Sequence, residues 1–131
     1  MSESQEQIKL IAWADAWFSV KFKELMCGDC APLVAYPNEA KRTPREGARM
    51  KKQGLRPGML DLELKVKTRA HRGLIIEMKY GSNKLTENQK KWIQWHVDND
   101  YKVVVCYSFE AAMSEILHYM TRYSNDKQLG K

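Results

Sequence analysis

Apolar residues recur every three or four positions in three stretches of the chain, which is the spacing of helices that bury one face. The first stretch, residues 5–25, contains no Pro or Gly and predicts a long helix. The second, residues 86–99, opens with a Thr-Glu-Asn-Gln capping box. The third follows a cap at Ser108, and the polar tail over residues 124–131 is expected to fray.

Strands are predicted where apolar and polar residues alternate or where a short apolar run lies between turn residues. These stretches are residues 33–36, 60–66, 74–80 and 102–107, with a hairpin joining the middle two across a long polar turn. A short helix is expected over residues 44–53, because Pro suits its first turn and Gly54 suits its stop. The order is helix, strand, short helix, strand, strand, helix, strand, helix, which predicts a mixed α/β fold.

The predicted hairpin brings two carboxylates together if its strands pair symmetrically about residue 69. Asp61 then lies opposite Glu77, with Cβ atoms about 5 Å apart. Lys79 is two residues beyond Glu77 and therefore shares its face. Apolar residues at the alternate positions make the other face, so the hairpin has one apolar face and one charged face.

Two carboxylates this close repel each other unless a cation or a proton lies between them. A hard divalent ion with oxygen ligands, Mg²⁺ or Mn²⁺, is the usual solution. Such an ion polarises a phosphoryl oxygen and lowers the pKa of a bound water, while a nearby Lys orients that water or stabilises negative charge. The pattern is therefore typical of phosphodiester hydrolysis. The alternative is a solvated strand face on which Glu77 and Lys79 are ordinary exposed charges.

Length and composition restrict the class of protein. The chain has 131 residues, 44% of them apolar and 29% charged, which predicts one folded domain over residues 1–131 and excludes a disordered chain. No apolar run approaches the roughly 20 residues needed to cross a bilayer. The N-terminus lacks the pattern of a secretory signal and three cysteines are too few for a disulfide framework, so a cytoplasmic protein is expected.

The net charge of +6 is concentrated in one segment. Residues 41–56 contain seven basic residues and one acid, which leaves 15 of the 22 basic and 15 of the 16 acidic residues for the rest of the chain. Such a segment is typical of a surface that binds DNA, and a merely solvated basic helix is the alternative. The candidate DNA-binding residues are Lys41, Arg42, Arg45, Arg49, Lys51, Lys52 and Arg56.

Five ordered blocks give the chain a specific resemblance. They are Tyr-Pro-Asn-Glu-Ala-Lys-Arg from residue 36, Gly-Leu-Arg-Pro-Gly-Met-Leu-Asp from residue 54, Gly-Leu-Ile-Ile-Glu-Met-Lys from residue 73, Leu-Thr-Glu-Asn-Gln from residue 85 and Tyr-Lys-Val from residue 101. With this spacing, residues 3–119 resemble the virus-type replication-repair nuclease (VRR-NUC) family, a branch of the PD-(D/E)XK nucleases, in a stand-alone, phage-type form. The one departure is Leu60, where relatives usually have a turn-forming Pro.

The resemblance implies a core of helix, strand, strand, strand, helix, strand, in which helices flank a mixed sheet. It also implies that the metal ligands are Asp61, Glu77 and the backbone carbonyl of Met78. Lys79 would then be the catalytic lysine. This implied core agrees with the order of elements that the periodicity predicts.

Two further site residues are implied by the family pattern, in which a Gln and a first-helix Glu also line the site. Gln89 matches the first, although its amide can also serve as the partner in the capping box. Glu3 best fits the second by its spacing to a following Gln, and Glu6 is the alternative if the helix begins later.

The function implied by the resemblance is a Mg²⁺- or Mn²⁺-dependent DNA endonuclease that selects DNA by structure. Stand-alone relatives resemble dimeric enzymes that cut four-way (Holliday) junctions, and a homodimer suits a chain without a separate DNA-binding domain. The alternatives are a monomeric flap or nick nuclease of DNA repair, a non-catalytic DNA-binding module and, less strongly, a restriction-type enzyme.

The Cys-Gly-Asp-Cys motif at residues 27–30 is a second candidate for metal chemistry. A structural zinc needs four ligands, and the sequence offers no second pair of cysteines. A redox role of the thioredoxin type would place the motif at the start of a helix after a strand, whereas here it follows a helix. The motif is therefore expected to form a loop.

Overall fold

A computed structural model of the chain describes residues 3–36 and 43–130, with side chains from residue 5 onward. The helices are α1 (Glu3–Lys21), α2 (Pro44–Lys52), α3 (Glu87–Asp98) and α4 (Phe109–Leu129), with a 3₁₀ turn at Lys23–Leu25. The strands are β1 (Leu33–Ala35), β2 (Leu62–Leu64), β3 (Leu74–Met78) and β4 (Lys102–Cys106). No helix within the described ranges is long and apolar enough to cross a membrane.

The four strands form one mixed sheet in the order β1-β2-β3-β4. β1 and β3 both run antiparallel to β2, and β4 runs parallel to β3 after the crossover through α3. Leu62 lies opposite Ile76 and Leu64 lies opposite Leu74, which is the symmetric hairpin predicted about residue 69. The predicted fold class, a mixed sheet flanked by helices, is confirmed.

Both faces of the β2–β3 hairpin are withdrawn from solvent. The even-numbered residues of the two strands pack with α1 and α4 in the main core, which includes Phe18, Leu62, Leu64, Leu74, Ile76 and Ile116. On the other face, Glu63, Ile75 and Glu77 are each no more than 7% exposed. Glu77 and Lys79, whose side chain is 10% exposed, are therefore not ordinary exposed charges on a solvated strand face, and that alternative is wrong.

Two helix ends differ from the sequence prediction. The first α-helix stops at Lys21, and the chain continues as the 3₁₀ turn instead of reaching residue 25 as α-helix. The prediction of a frayed tail is wrong for residues 124–129, which complete α4. These last turns are held in place because Asp126 accepts a hydrogen bond from the Arg69 amide, 2.7 Å away in the turn between β2 and β3.

Candidate active site

The open end of the β2–β3 hairpin holds two carboxylates that are hydrogen-bonded across the strands. The Asp61 amide donates to Oε1 of Glu77 at 3.2 Å, and the Met78 amide donates to Oδ2 of Asp61 at 2.9 Å. These crossed bonds follow from the hairpin register, because continuing it by one residue places Asp61 opposite Glu77. The structure thus brings together the two carboxylates that the sequence pattern paired.

Glu77 lies in an environment that disfavours its charge. It is 2% exposed. Burial, followed by the charge of Asp61, raises the pKa of Glu77 from 4.5 to about 7, although the charge of Lys79 acts in the opposite direction. Two carboxylates held this way are stabilised by a cation between them, and their oxygens are the ligands that Mg²⁺ and Mn²⁺ prefer. The donor set therefore fits a hard divalent ion.

Met78 lies between Glu77 and Lys79 at the end of β3, with its side chain buried in the core. Its backbone runs beside the carboxylate pair, since its amide is bonded to Asp61. Met78 is therefore located at the site through its main chain alone.

Lys79 is held at the edge of this pair by two side chains. Its Nζ lies 3.6 Å from Oε2 of Glu77 and donates a 3.0 Å hydrogen bond to Oε1 of Gln89. Its backbone amide donates to the carbonyl of Cys106 at 2.8 Å, which extends the β3–β4 pairing to this position. The Lys79 side chain is only 10% exposed, so its ammonium is fixed close to the carboxylates rather than free in solvent.

Gln89 makes hydrogen bonds that correspond to both roles the sequence left open for it. Its Oε1 accepts from the Thr86 amide at 2.9 Å, while the Gln89 amide donates to Oγ1 of Thr86 at 3.1 Å, which completes the predicted capping box. The same Oε1 accepts from Lys79, and its Nε2 donates to Oε2 of Glu77 at 3.0 Å. The first turn of α3 is thereby joined directly to the charged groups on β3.

The turn that precedes Asp61 packs against this first turn of α3. Gly58 has a φ of +79°, and a Cβ at this position would lie 2.5 Å from Cβ of Asn88 and 2.7 Å from the amide nitrogen of Gln89. Only glycine allows such an approach. Nε1 of Trp92 also donates to the Pro57 carbonyl at 3.2 Å, so the turn and α3 are fixed to each other.

Of the two candidate carboxylates on the first helix, Glu3 and Glu6, the structure describes only the side chain of Glu6. Glu6 accepts a 3.0 Å hydrogen bond from the Phe109 amide through Oε2, which ties α1 to the first turn of α4. Glu6 therefore has a structural partner at the end of the sheet where β4 stops. The side chain of Glu3 lies outside the described residues, and its role stays a prediction.

The predicted DNA-binding residues lie mainly on α2, which is capped by Thr43 and begins with Pro44. Those within the described ranges are all exposed, namely Arg45, Arg49, Lys51, Lys52 and Arg56. Lys41 and Arg42 lie outside the described ranges. Met50 of α2 lines one cavity together with Tyr36 and Arg56, so the C-terminal end of α2 lies beside the segment that leads into Asp61.

Tyr36 is a neighbour of the site that the sequence pattern did not reveal. Its amide donates to the Asp61 carbonyl at 2.8 Å, and its hydroxyl donates a hydrogen bond to Oε1 of Glu63. Burial, together with the bond to Glu63, raises the pKa of Tyr36 to about 12, so the hydroxyl keeps its proton. The pairing of β1 with β2 produces this contact, and only the existence of a strand near residue 36 was predictable.

The Cys-x-x-Cys motif forms a tight turn, as the sequence predicts for a loop. The Cys27 amide donates to the Cys30 carbonyl at 2.9 Å and the Cys30 amide donates back at 3.0 Å, while Gly28 takes a φ of +60°.

Among the residues that the structure describes, no group of three or more His, Cys, Asp or Glu side chains is arranged to hold a metal. A metal at the carboxylate pair would therefore need backbone, solvent or substrate oxygens as further ligands.

Comparison with known proteins identifies the family. The family model of the VRR-NUC domain matches residues 4–110, which is most of the chain. A solved structure of a "VRR_NUC domain protein" superposes with a TM-score of 0.75 at 26% sequence identity, over 93% of this chain and 90% of the other. A search of curated proteins gives no match. The chain therefore belongs to the VRR-NUC family of nucleases, and its core is of the PD-(D/E)XK type.

Proposed function

We propose that this protein is a Mg²⁺- or Mn²⁺-dependent endonuclease that hydrolyses phosphodiester bonds in DNA. The observation that carries the proposal is the joined cluster at the hairpin end, in which Asp61, Glu77, Lys79 and Gln89 contact one another. The ligands for the ion would be the two carboxylates and the Met78 carbonyl. When bound there, the ion supplies Lewis-acid polarisation of the phosphate and a more acidic water.

Lys79 is the residue best suited to act on the attacking water or on the developing negative charge. Its ammonium is nearly buried, and Gln89 and Glu77 fix its position at 3.0 and 3.6 Å. A cation held in a site of low exposure stabilises charge more strongly than one in bulk water, and it needs no reorganisation during the reaction. Gln89 acts as a positioning residue, because it holds both Lys79 and Glu77 from the rigid start of α3.

The substrate proposed for this site is branched DNA, with a Holliday junction as the first candidate and a homodimer as the active form. The cations of α2 are exposed, and the end of α2 shares a cavity with Tyr36 and Arg56 near Asp61, where such cations would neutralise phosphates that flank the cut. A two-fold dimer would present two such helices and two sites to a junction with its own approximate two-fold symmetry. Intact paired carboxylates argue against a non-catalytic DNA-binding module, because two carboxylates this close repel each other unless a cation or a proton lies between them.

The test is a cleavage assay on four-way junctions, flaps, nicked duplexes and linear duplexes, each with Mg²⁺ and with EDTA, together with light scattering of the protein. We expect Mg²⁺-dependent cuts on opposing strands of the junction, faster than cuts in linear duplex, and a mass near twice 15.3 kDa. Efficient flap cleavage by a monomer would favour the flap nuclease. Equal cleavage in EDTA would contradict the proposed metal dependence.

The contribution of α2 is tested separately by replacing Arg45, Arg49 and Lys52 with Gln. We expect weaker DNA binding and a log-log salt slope that is shallower by about 0.9 for each phosphate that the variant no longer neutralises. An unchanged slope would mean that these cations only keep the helix solvated.

A further inference from the structure

A second basic surface lies at the other end of the β2–β3 hairpin, where the two strands are joined. Residues 65–72 contain four basic residues and no acid. This local excess is not visible in the total for the chain outside residues 41–56, where basic and acidic residues are equal in number. Lys65, Lys67 and Arg69 of this turn, together with Lys127 of α4, border a groove of about 820 Å³. We call it the turn groove.

The acid in the turn groove is already engaged within the protein. Asp126 accepts from the Arg69 amide at 2.7 Å and lies 3.3 Å from Nε of Arg122, and its side chain is 11% exposed. Lys65 is paired with Glu63 at 3.3 Å. The side chains of Lys67, Arg69 and Lys127 are exposed at the rim of the groove. The groove therefore presents three cations to solvent, which suits an anionic partner.

The backbone that carries these cations is fixed. The Thr68 amide donates to the His71 carbonyl at 2.9 Å, and the His71 amide donates to Oγ1 of Thr68 at 3.0 Å. The Tyr119 hydroxyl donates to the Val66 carbonyl at 2.6 Å from within α4. A turn tied down in this way presents its charges with little ordering cost when a ligand binds.

The turn groove is well separated from the active site. β2 ends at Leu64, and the chain then bends, since the Val66 amide donates to the Leu64 carbonyl at 2.9 Å. Lys65 and Lys67 thus follow one end of β2, whereas Asp61 precedes the other. The C-terminal end of α2 lies toward the opposite end of the strand, where Met50 shares a cavity with Tyr36 and the Tyr36 amide is bonded to the Asp61 carbonyl. The molecule thus has one basic surface at each end of β2. A straight DNA duplex that contacts α2 can reach the turn groove only if the duplex axis runs along the whole of β2.

We propose that the turn groove binds the sugar-phosphate backbone of a second DNA helix, the arm of a branched substrate that is not being cut. The inference rests on the proposed nuclease function and extends it, because it assigns to this end of the chain the contact that distinguishes a branch from a linear duplex. Three exposed cations on a fixed turn provide charge without base-reading contacts, which suits recognition of shape rather than sequence.

The experiment measures binding by fluorescence anisotropy in an Asp61→Ala background, so that no cleavage intervenes. The variant carries Lys67→Gln, Arg69→Gln and Lys127→Gln, and thermal melting checks that it folds. The matched control, Lys9→Gln, Lys21→Gln and Lys102→Gln, removes three charges outside both basic surfaces.

We expect the groove variant to bind a four-way junction at least about tenfold more weakly, with a salt slope shallower by about 0.9 for each phosphate left without a cation. Its binding to a short linear duplex should fall far less.

Three results would overturn the proposal. One is unchanged junction binding by the groove variant. Another is an equal loss for junction and duplex, which would mean that the groove contacts the same helix as α2. The third is an equal loss in the control variant. The experiment measures DNA binding and not cleavage. If the wild-type protein cuts no DNA, the nuclease function is refuted, but the result for DNA binding by the turn groove still stands on its own.

Discussion

The two ends of the β2–β3 hairpin carry charge in opposite ways. At the open end, Glu77 and Lys79 are almost fully buried, and both are hydrogen-bonded to Gln89. At the turn end, Lys67 and Arg69 are exposed on a fixed loop. Buried charges act as one unit, because removing one leaves its partners without compensation. Exposed cations contribute small and nearly independent amounts. Catalysis should therefore depend on single residues at one end, and binding should respond gradually at the other.

The largest effect is expected from Asp61→Ala, Glu77→Ala and Lys79→Ala. Each should lower cleavage at least about a hundredfold, because each removes a charged group that the proposed mechanism places at the metal or the reacting phosphate. The measurement is single-turnover cleavage of a labelled junction, with thermal melting to confirm folding. Lys91→Ala, an exposed lysine on α3, is the matched control and should cut at the wild-type rate. A folded single variant with wild-type cleavage would remove that residue from the mechanism.

Gln89→Ala should lower cleavage by about ten- to a hundredfold, the range typical of residues that orient groups in a metal site. Thr86→Ala breaks the same capping box but leaves the bonds of Gln89 to Glu77 and Lys79 available. It should cost about 1 kcal/mol of stability and little activity. Comparing kcat and melting temperature of the two variants separates the role of Gln89 in the site from its role in the cap. Equal losses of activity would mean that Gln89 acts only through the helix cap.

The raised pKa of Glu77 predicts how the stability of the metal-free protein depends on pH. The pKa is about 7 in the folded protein against 4.5 ordinarily, so the folded state holds this proton more tightly. The associated stability is complete below about pH 4.5 and is lost as the pH rises through about 7. Between pH 4.5 and 8, the wild type should lose up to about 3 kcal/mol relative to Glu77→Gln. Melts of both proteins in EDTA check this, and a pH-independent difference would contradict it.

Gly58 and Gly54 offer a smaller and sharper contrast, because both have positive φ but only Gly58 lies against another backbone. Gly54→Ala should cost about 1 kcal/mol from its conformation alone. Gly58→Ala should cost about 3 kcal/mol in total, since its Cβ would also push the first turn of α3 away. It should also slow cleavage, because Gln89 moves with that turn. Similar melting temperatures and rates for the two variants would show that the turn does not position α3.

The site was predictable where local patterns determine its geometry. The hairpin is symmetric about residue 69, so alternation alone paired Asp61 with Glu77. The Thr-x-x-Gln box located Gln89 at the start of a helix, although no local pattern shows that its amide also reaches β3. Such a bond depends on how the crossover from β3 to β4 aligns α3 with the sheet.

Contacts between distant segments were not predictable. The contact of Tyr36 with Asp61 depends on the register of β1 against β2, for which the sequence contains no symmetric turn. The polar residues in the last turns of α4 predict a frayed tail, yet Asp126 holds these turns to the amide of Arg69, 57 residues away in sequence. That contact lies in the wall of the turn groove, which Lys67 and Lys127 both line.

Isothermal titration of Mn²⁺ into the wild-type protein and into Asp61→Asn most directly tests whether the hairpin carboxylates form a metal site. Asp61→Asn keeps the size of the side chain and an oxygen that can accept from the Met78 amide, but it removes the negative charge. We expect saturable binding by the wild type and at least about tenfold weaker binding by the variant, because a carboxylate ligand is lost. Equal binding by the two proteins would contradict the assignment of Asp61 as a metal ligand.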